Sequence, residues 1–270
     1  MRACLLQNAP TQPFSPHLES ETGMDQVNIR GWARFFRLLI GIFLLLPLST
    51  ISSYALLKVL YANGRHLNFE FFLTTPVWYT LLGGACFTII LLSRLAPSVL
   101  LYCYVAGHEL THAIAAKLCN GKIHTIKIDA NGGYMETDKN NFFIGLAPYI
   151  FPLWLLIWVS VFSALLYFCP FAGCEQWLYG GLGFWWFFHI YWTLWIIPRE
   201  QPDLLENGLF FSNLLILIVN TLGLGIILSL FGLVNYQSYL AAFLESAQQL
   251  LLLLNFVTES IWLWCSTLFS

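Results

Sequence analysis

An all-α polytopic membrane protein, with six or seven transmembrane helices and one small β-hairpin, is the fold class this 270-residue sequence predicts. Three observations predict it. Hydrophobic residues make up 58% of the chain and charged ones 10%, against about 25% charged in an average soluble domain. Apolar runs long enough to cross a bilayer, about 20 residues each, follow one another from Leu38 onward. One long polar segment interrupts them at 122–141, where β-branched and aromatic residues flank Asn131-Gly132-Gly133 in the manner of a hairpin.

The elements follow in chain order. Residues 1–35 read as a tail, disordered or lying at the membrane surface, because Pro10, Pro13 and Pro16 stand among polar residues and no apolar core of signal-peptide length is present. Residues 36–95 hold the first spans, 38–61 and 76–93, parted by Asn63-Gly64. Residues 96–234 form the core, with spans at 97–119, 142–168, 177–197 and 209–234, and residues 235–270 a last helix at 239–269. Helix-stop chemistry separates them: Arg94 with Pro97, Asn120-Gly121, Pro170, Pro198 and Asn207-Gly208. The Arg94 turn is so short that its two flanking segments also read as one broken helix. In the last helix Glu245, Gln248, Gln249, Asn255 and Glu259 form a polar stripe, which reads as a face turned to other helices or to the interface.

A net charge of −2 and scattered basic residues point to no nucleic-acid partner. The localisation expected is integral and multi-pass, in the cell membrane if the source is a prokaryote. Seven cysteines fit no zinc-ribbon spacing. Most read as small hydrophobes between helices; Cys169 and Cys174 share a loop and would pair only in an oxidising compartment.

Within the run 97–119 stands Gly107-His-Glu-Leu-Thr-His112. Positions i and i+4 of a helix share a face, so His108 and His112 can reach one metal ion while Glu109 is placed to polarise a water there. With 6 histidines and 14 acidic residues in the chain, chance yields this pattern in roughly 0.7 per cent of chains of the same composition. Ionisable groups are costly in lipid and mark functional sites there. The expectation is a metal hydrolase with Zn2+ as cofactor.

Catalytic zinc takes three protein ligands and keeps a position for water, so a third donor is needed. Two spans separate the hairpin from the loop at 199–208, which puts both on one membrane face. His112, seven residues before Cys119, lies about 10 Å below that face at 1.5 Å per residue. Asp203 ranks first as the third ligand because its segment leads into the next span. His189 and Glu206 remain open as rivals, His189 also as a hydrogen-bond partner of a ligand, and His124 reads as an ordinary hairpin residue. Thr111, Asn213 and Asn220 could line a water path, or satisfy backbone groups within the bundle.

These residues, with Gly145-Leu-Ala-Pro148 opening the next span and Pro202-Asp203 with Asn207-Gly208 before a later one, resemble the site-2 protease family of intramembrane zinc metallopeptidases. The resemblance covers roughly 99–220. It implies a three-helix catalytic core, zinc held by His108, His112 and Asp203, and Glu109 as general base. It also implies a membrane-protein substrate cut at or near a transmembrane segment in the bilayer, and an active site toward the cytoplasm. The chain departs from better-known members, which carry Asn-Pro and Leu-Asp-Gly around the aspartate, and it has no room for a PDZ or CBS domain. Two other readings stand beside this one: a transporter or scaffold with a structural metal or none, and a hydrolase of lipid amides or esters. Basic residues conflict over orientation. Arg30, Arg34 and Arg37 favour the N-terminal end inside, Lys117, Lys122, Lys127 and Lys139 favour the hairpin inside, and with seven spans both cannot hold.

Overall fold

The computed structural model describes residues 23–65, 67–94, 96–129, 132–199 and 201–268, with side chains from 31 to 266. Cys4, the tail prolines and Asn131 of the hairpin turn lie outside the described residues. Helix α1 (Gly23–Ile40) begins inside the stretch assigned to the tail and continues through a π-helical turn, Gly41–Leu45, into α2 (Leu46–Gly64). A short α3 (Phe69–Phe72) leads to α4 (Thr75–Ser93), and α5 (Pro97–Leu118) carries the His-Glu-x-x-His segment. Arg94, in the left-handed region at φ 55°, ends α4, so the two segments flanking it are separate helices.

Strands β1 (Ile123–Asp129) and β2 (Gly132–Thr137) pair antiparallel, with Ile126 opposite Met135 and Ile128 opposite Gly133. The hairpin expected from the β-branched run is there, with an irregular register between Ile123 and Thr125 that leaves His124 exposed. After it come α6 (Phe142–Ile150) and α7 (Leu153–Phe168), bent by 62° where one continuous span was expected. Proline explains the break: Pro152 has no N–H to give α7's preceding turn, and its ring drives Phe151 out of the helical region to φ −103°, ψ 110°. Helix α8 (Cys174–Ile196), a single 3-10 turn, α9 (Pro202–Asn207), α10 (Leu209–Leu230) and α11 (Tyr236–Leu268) complete the chain.

Among the described residues four helices are long and apolar enough to cross a membrane: Gly31–Gly64, Thr75–Ser93, Leu209–Leu230 and Tyr236–Ser266, or five if the bent pair is one span. The expected six or seven counted α5 and α8 as well. Both have the length, 22 and 23 residues. Their composition holds them back, because α5 carries His108, Glu109, Thr111 and His112, and α8 is rich in Trp and Tyr.

Packing runs in parallel pairs. Helix α4 lies along α8, Thr80 donating to the Tyr179 carbonyl at 3.2 Å and Phe87 meeting Phe184 and Phe188 edge-on. The two backbones touch through glycine: a Cβ on Gly83 would overlap the Gly180 carbonyl, and one on Gly183 the Thr80 carbonyl, so small residues set this approach. Helix α2 runs along α10, with Leu56 by Gly225 and Asn63 Nδ2 donating to the Leu233 carbonyl at 2.6 Å. The polar stripe of α11 partly serves helix contact: Glu245 pairs with Lys58 of α2 at 2.7 Å, whereas Asn255 and Glu259 are exposed. Cys169 is exposed, Cys174 buried, and both are free thiols, so the pairing left open by the sequence is not made.

Candidate metal centre

His108 and His112 stand one turn apart on α5, and their Nε2 atoms lie 3.2 Å from each other. Asp203 arrives on α9, its Oδ2 3.5 Å from His108 Nε2 and 3.3 Å from His112 Nε2. Zinc bonds of about 2.0–2.1 Å at the tetrahedral angle put ligand atoms about 3.3–3.4 Å apart, and all three separations fall close to that edge. Three lone-pair donors around one point repel each other unless a cation sits among them. Among the described residues this is the one group of His, Cys, Asp or Glu side chains able to hold a metal ion. The donor set and its spacing fit Zn2+.

Neighbouring contacts fix each donor. His112 Nδ1 donates to the Ile144 carbonyl of α6 at 2.8 Å, which leaves Nε2 with its lone pair toward Asp203. His108 is held more loosely, its Nδ1 3.5 Å from the Tyr104 hydroxyl. Asp203 accepts from the Tyr149 hydroxyl at 3.4 Å, and its backbone carbonyl accepts from Asn207 Nδ2 at 2.8 Å. Asn207 in turn lies against Gly145, where a Cβ would come within 2.9 Å of its amide.

Glu109 is 7% exposed and points beneath the hairpin. A Cβ on Gly133 would come 2.7 Å from Glu109 Cγ and 2.8 Å from Val105 Cγ1. Only glycine lets strand β2 pass this close above the glutamate.

The rivals for the third position go elsewhere. Glu206 is exposed and accepts from Asn140 Nδ2 at 2.7 Å, while its backbone carbonyl accepts from Arg37 Nη1 at 3.0 Å. His189 is buried on α8, and its Nε2 donates to Asn220 Oδ1 at 3.1 Å. Of the three groups expected near a water path, Thr111 lines the pocket beside His108, Asn220 is bound to His189 and the Tyr149 carbonyl, and Asn213 is exposed away from both.

No family model, curated protein or solved structure matches this chain. The arrangement therefore speaks through its own geometry. Tyr104, Tyr149 and the Ile144 carbonyl belong to it and were not singled out from the sequence. Tyr104 precedes His108 by one turn and was within reach of a spacing argument. The other two come from α6, 32 or more residues away, and no local pattern announces them.

Proposed function

We propose that this protein is an intramembrane zinc metallopeptidase that cleaves a peptide bond in or near a transmembrane segment of a membrane protein. The observation that carries the reading is the convergence of His108 Nε2, His112 Nε2 and Asp203 Oδ2 at 3.2–3.5 Å, with Glu109 adjoining them under the hairpin. The likeness to site-2 proteases in the sequence supports it. The missing Leu-Asp-Gly pattern does not weaken the geometry, because here Asn207 and Gly145 seat Asp203.

A bound zinc ion supplies Lewis acidity, polarising a carbonyl and making water acidic near neutral pH. The protein's own groups do the rest. Glu109 takes the proton of the attacking water and hands it to the departing amine, a role open to it because the helix keeps it out of the ligand position. Ile144 and Asn207 hold His112 and Asp203 in register, so little reorganisation is needed during reaction. Among the described residues no third strand joins the two-stranded hairpin, and β2 crosses directly above Glu109. An extended peptide added to the β2 edge would lie beside the base.

Metal content and cleavage of a membrane-protein substrate by the purified chain test the proposal together. One zinc per chain is expected, lost in His108→Ala and His112→Ala; Glu109→Gln should retain zinc and lose hydrolysis. Full occupancy in both histidine variants would mean that the cluster is a hydrogen-bonded His-His-Asp group without metal. Undiminished cleavage in Glu109→Gln would remove the base.

A further inference from the structure

Helix α11 packs on the molecule through its first part, where Ala242 and Ser246 are buried and Glu245 pairs with Lys58 of α2 at 2.7 Å. From residue 251 to 264 every side chain is exposed, on all sides of the helix. Charges and indoles fix the depth of this free half. The 20 residues 38–57 carry no charge, the length of one bilayer crossing, and Lys58 closes them. Glu245, its ion-pair partner, therefore stands toward the same bilayer surface. Trp262 and Trp264 mark the opposite surface, where indoles collect between lipid and water. Asn255 lies between, ten residues past Glu245 and seven before Trp262, about 15 and 10 Å along the helix.

At that depth the Asn255 carboxamide follows five leucines and is exposed. Gln248, two turns earlier on the same face, is exposed as well, and neither carboxamide has a hydrogen-bond partner among the described residues. Their polar neighbours are provided for. Gln249 Nε2 donates to Glu245 at 3.3 Å, and the Thr258 hydroxyl donates to the Asn255 backbone carbonyl at 2.8 Å. Acyl chains offer an amide neither donor nor acceptor, so in lipid a carboxamide draws a second helix to it.

The sequence of the face says which helix. Gln248, Leu251, Asn255, Thr258 and Trp262 recur at alternating steps of three and four, the seam of a two-helix coiled coil. That seam holds no charge, so nothing in it calls for an oppositely charged partner. A carboxamide carries both donor and acceptor and can pair with its own kind. Two copies of one chain insert with the same topology, which makes their α11 helices parallel and sets Asn255 opposite Asn255 at one depth. We propose that α11 is a homodimerisation helix: a second copy of this chain packs along its free half, and the two Asn255 carboxamides exchange hydrogen bonds across the seam. The pairing is independent of the peptidase reading.

Disulfide trapping of the full chain tests this, in vesicles that hold no other protein and at high lipid dilution. Single cysteines are oxidised with copper phenanthroline in a background otherwise free of them. Leu251 and Leu253 are both exposed and differ in depth by about 3 Å, yet they point about 200° apart around the helix, Leu251 into the seam and Leu253 away from it. Leu251→Cys should give disulfide-linked dimer in severalfold higher yield than Leu253→Cys. Adding Asn255→Leu should lower the Leu251→Cys yield severalfold, and adding Asn255→Gln instead, which keeps the carboxamide, should preserve most of it. Equal yields at the two positions would mean chance collision, and no dimer at either would leave the face to lipid or to a different protein; both results overturn the proposal. An undiminished yield in Asn255→Leu would overturn the carboxamide contact.

Discussion

Asp203 and Glu206 are three residues apart on α9, yet only Asp203 meets the histidines, because Asn140 draws the Glu206 carboxylate to the hairpin flank at 2.7 Å. The two therefore respond differently to loss of charge. Asp203→Asn should lower zinc affinity by more than about 100-fold, beyond the 10- to 100-fold typical of groups that only support a ligand. Glu206→Gln should stay within about tenfold, since it acts on α9 from outside. Isothermal titration of zinc into both variants checks the contrast, and equal losses would move the third ligand or make the two carboxylates one unit. This choice was legible in the sequence only as a ranking. Helical spacing alone joins His108 to His112, but Asp203 and His189 satisfied the same depth argument and Glu206 could share the face of Asp203, and the deciding bonds run to Asn140 and Asn220, distant in sequence.

At the scale of elements, the hairpin and α5 were readable because each rests on local chemistry: β-branched residues about a glycine turn, and an apolar helix bearing one polar motif. The break between α6 and α7 was not read, although Pro152 marks it, because hydropathy runs unbroken across it. Gly133 links the hairpin to the site. Any side chain there must displace β2, since its first carbon would lie 2.7 Å from both Glu109 Cγ and the Lys127 carbonyl. Gly133→Leu should cost about 1–3 kcal/mol of stability, the usual penalty of overpacking. Activity should fall further, by about 100-fold, since displacing a reacting group by about 1 Å has that effect. Zinc content should not change, because Gly133 touches none of the three donors. A variant that binds zinc and cleaves at the original rate would separate the hairpin from the base.

At the scale of the whole molecule, one hydrogen bond bears on the conflict between the two basic clusters. Arg37 Nη1 donates to the Glu206 carbonyl, and the Glu206 side chain accepts from Asn140 beside the hairpin, so the arginines of α1 and the hairpin lysines lie at one end of the molecule. If these helices cross a membrane, an even number of crossings must separate the two clusters. Three helices intervene, α1–α2, α4 and α5, and α5 is the one too polar to meet the span criterion. The simplest arrangement has α5 lie obliquely, with both its ends toward one side, while α6–α7 crosses once and α8, about 35 Å long at 1.5 Å per residue, crosses back to deliver Asp203. The prediction is then six crossings, with Arg34, Arg37, Lys117, Lys122, Lys127 and Lys139 together on the side the positive-inside rule assigns to the cytoplasm. The test is labelling by a membrane-impermeant maleimide in sealed vesicles, using single cysteines in a background otherwise free of them. Cysteines replacing Arg34 and Lys122, both exposed, should react from the same side, and native Cys169, exposed in the α7–α8 loop, from the other. If the Lys122 position reacts together with Cys169 and opposite Arg34, α5 is a full span, and the Arg37–Glu206 contact does not exist in the membrane.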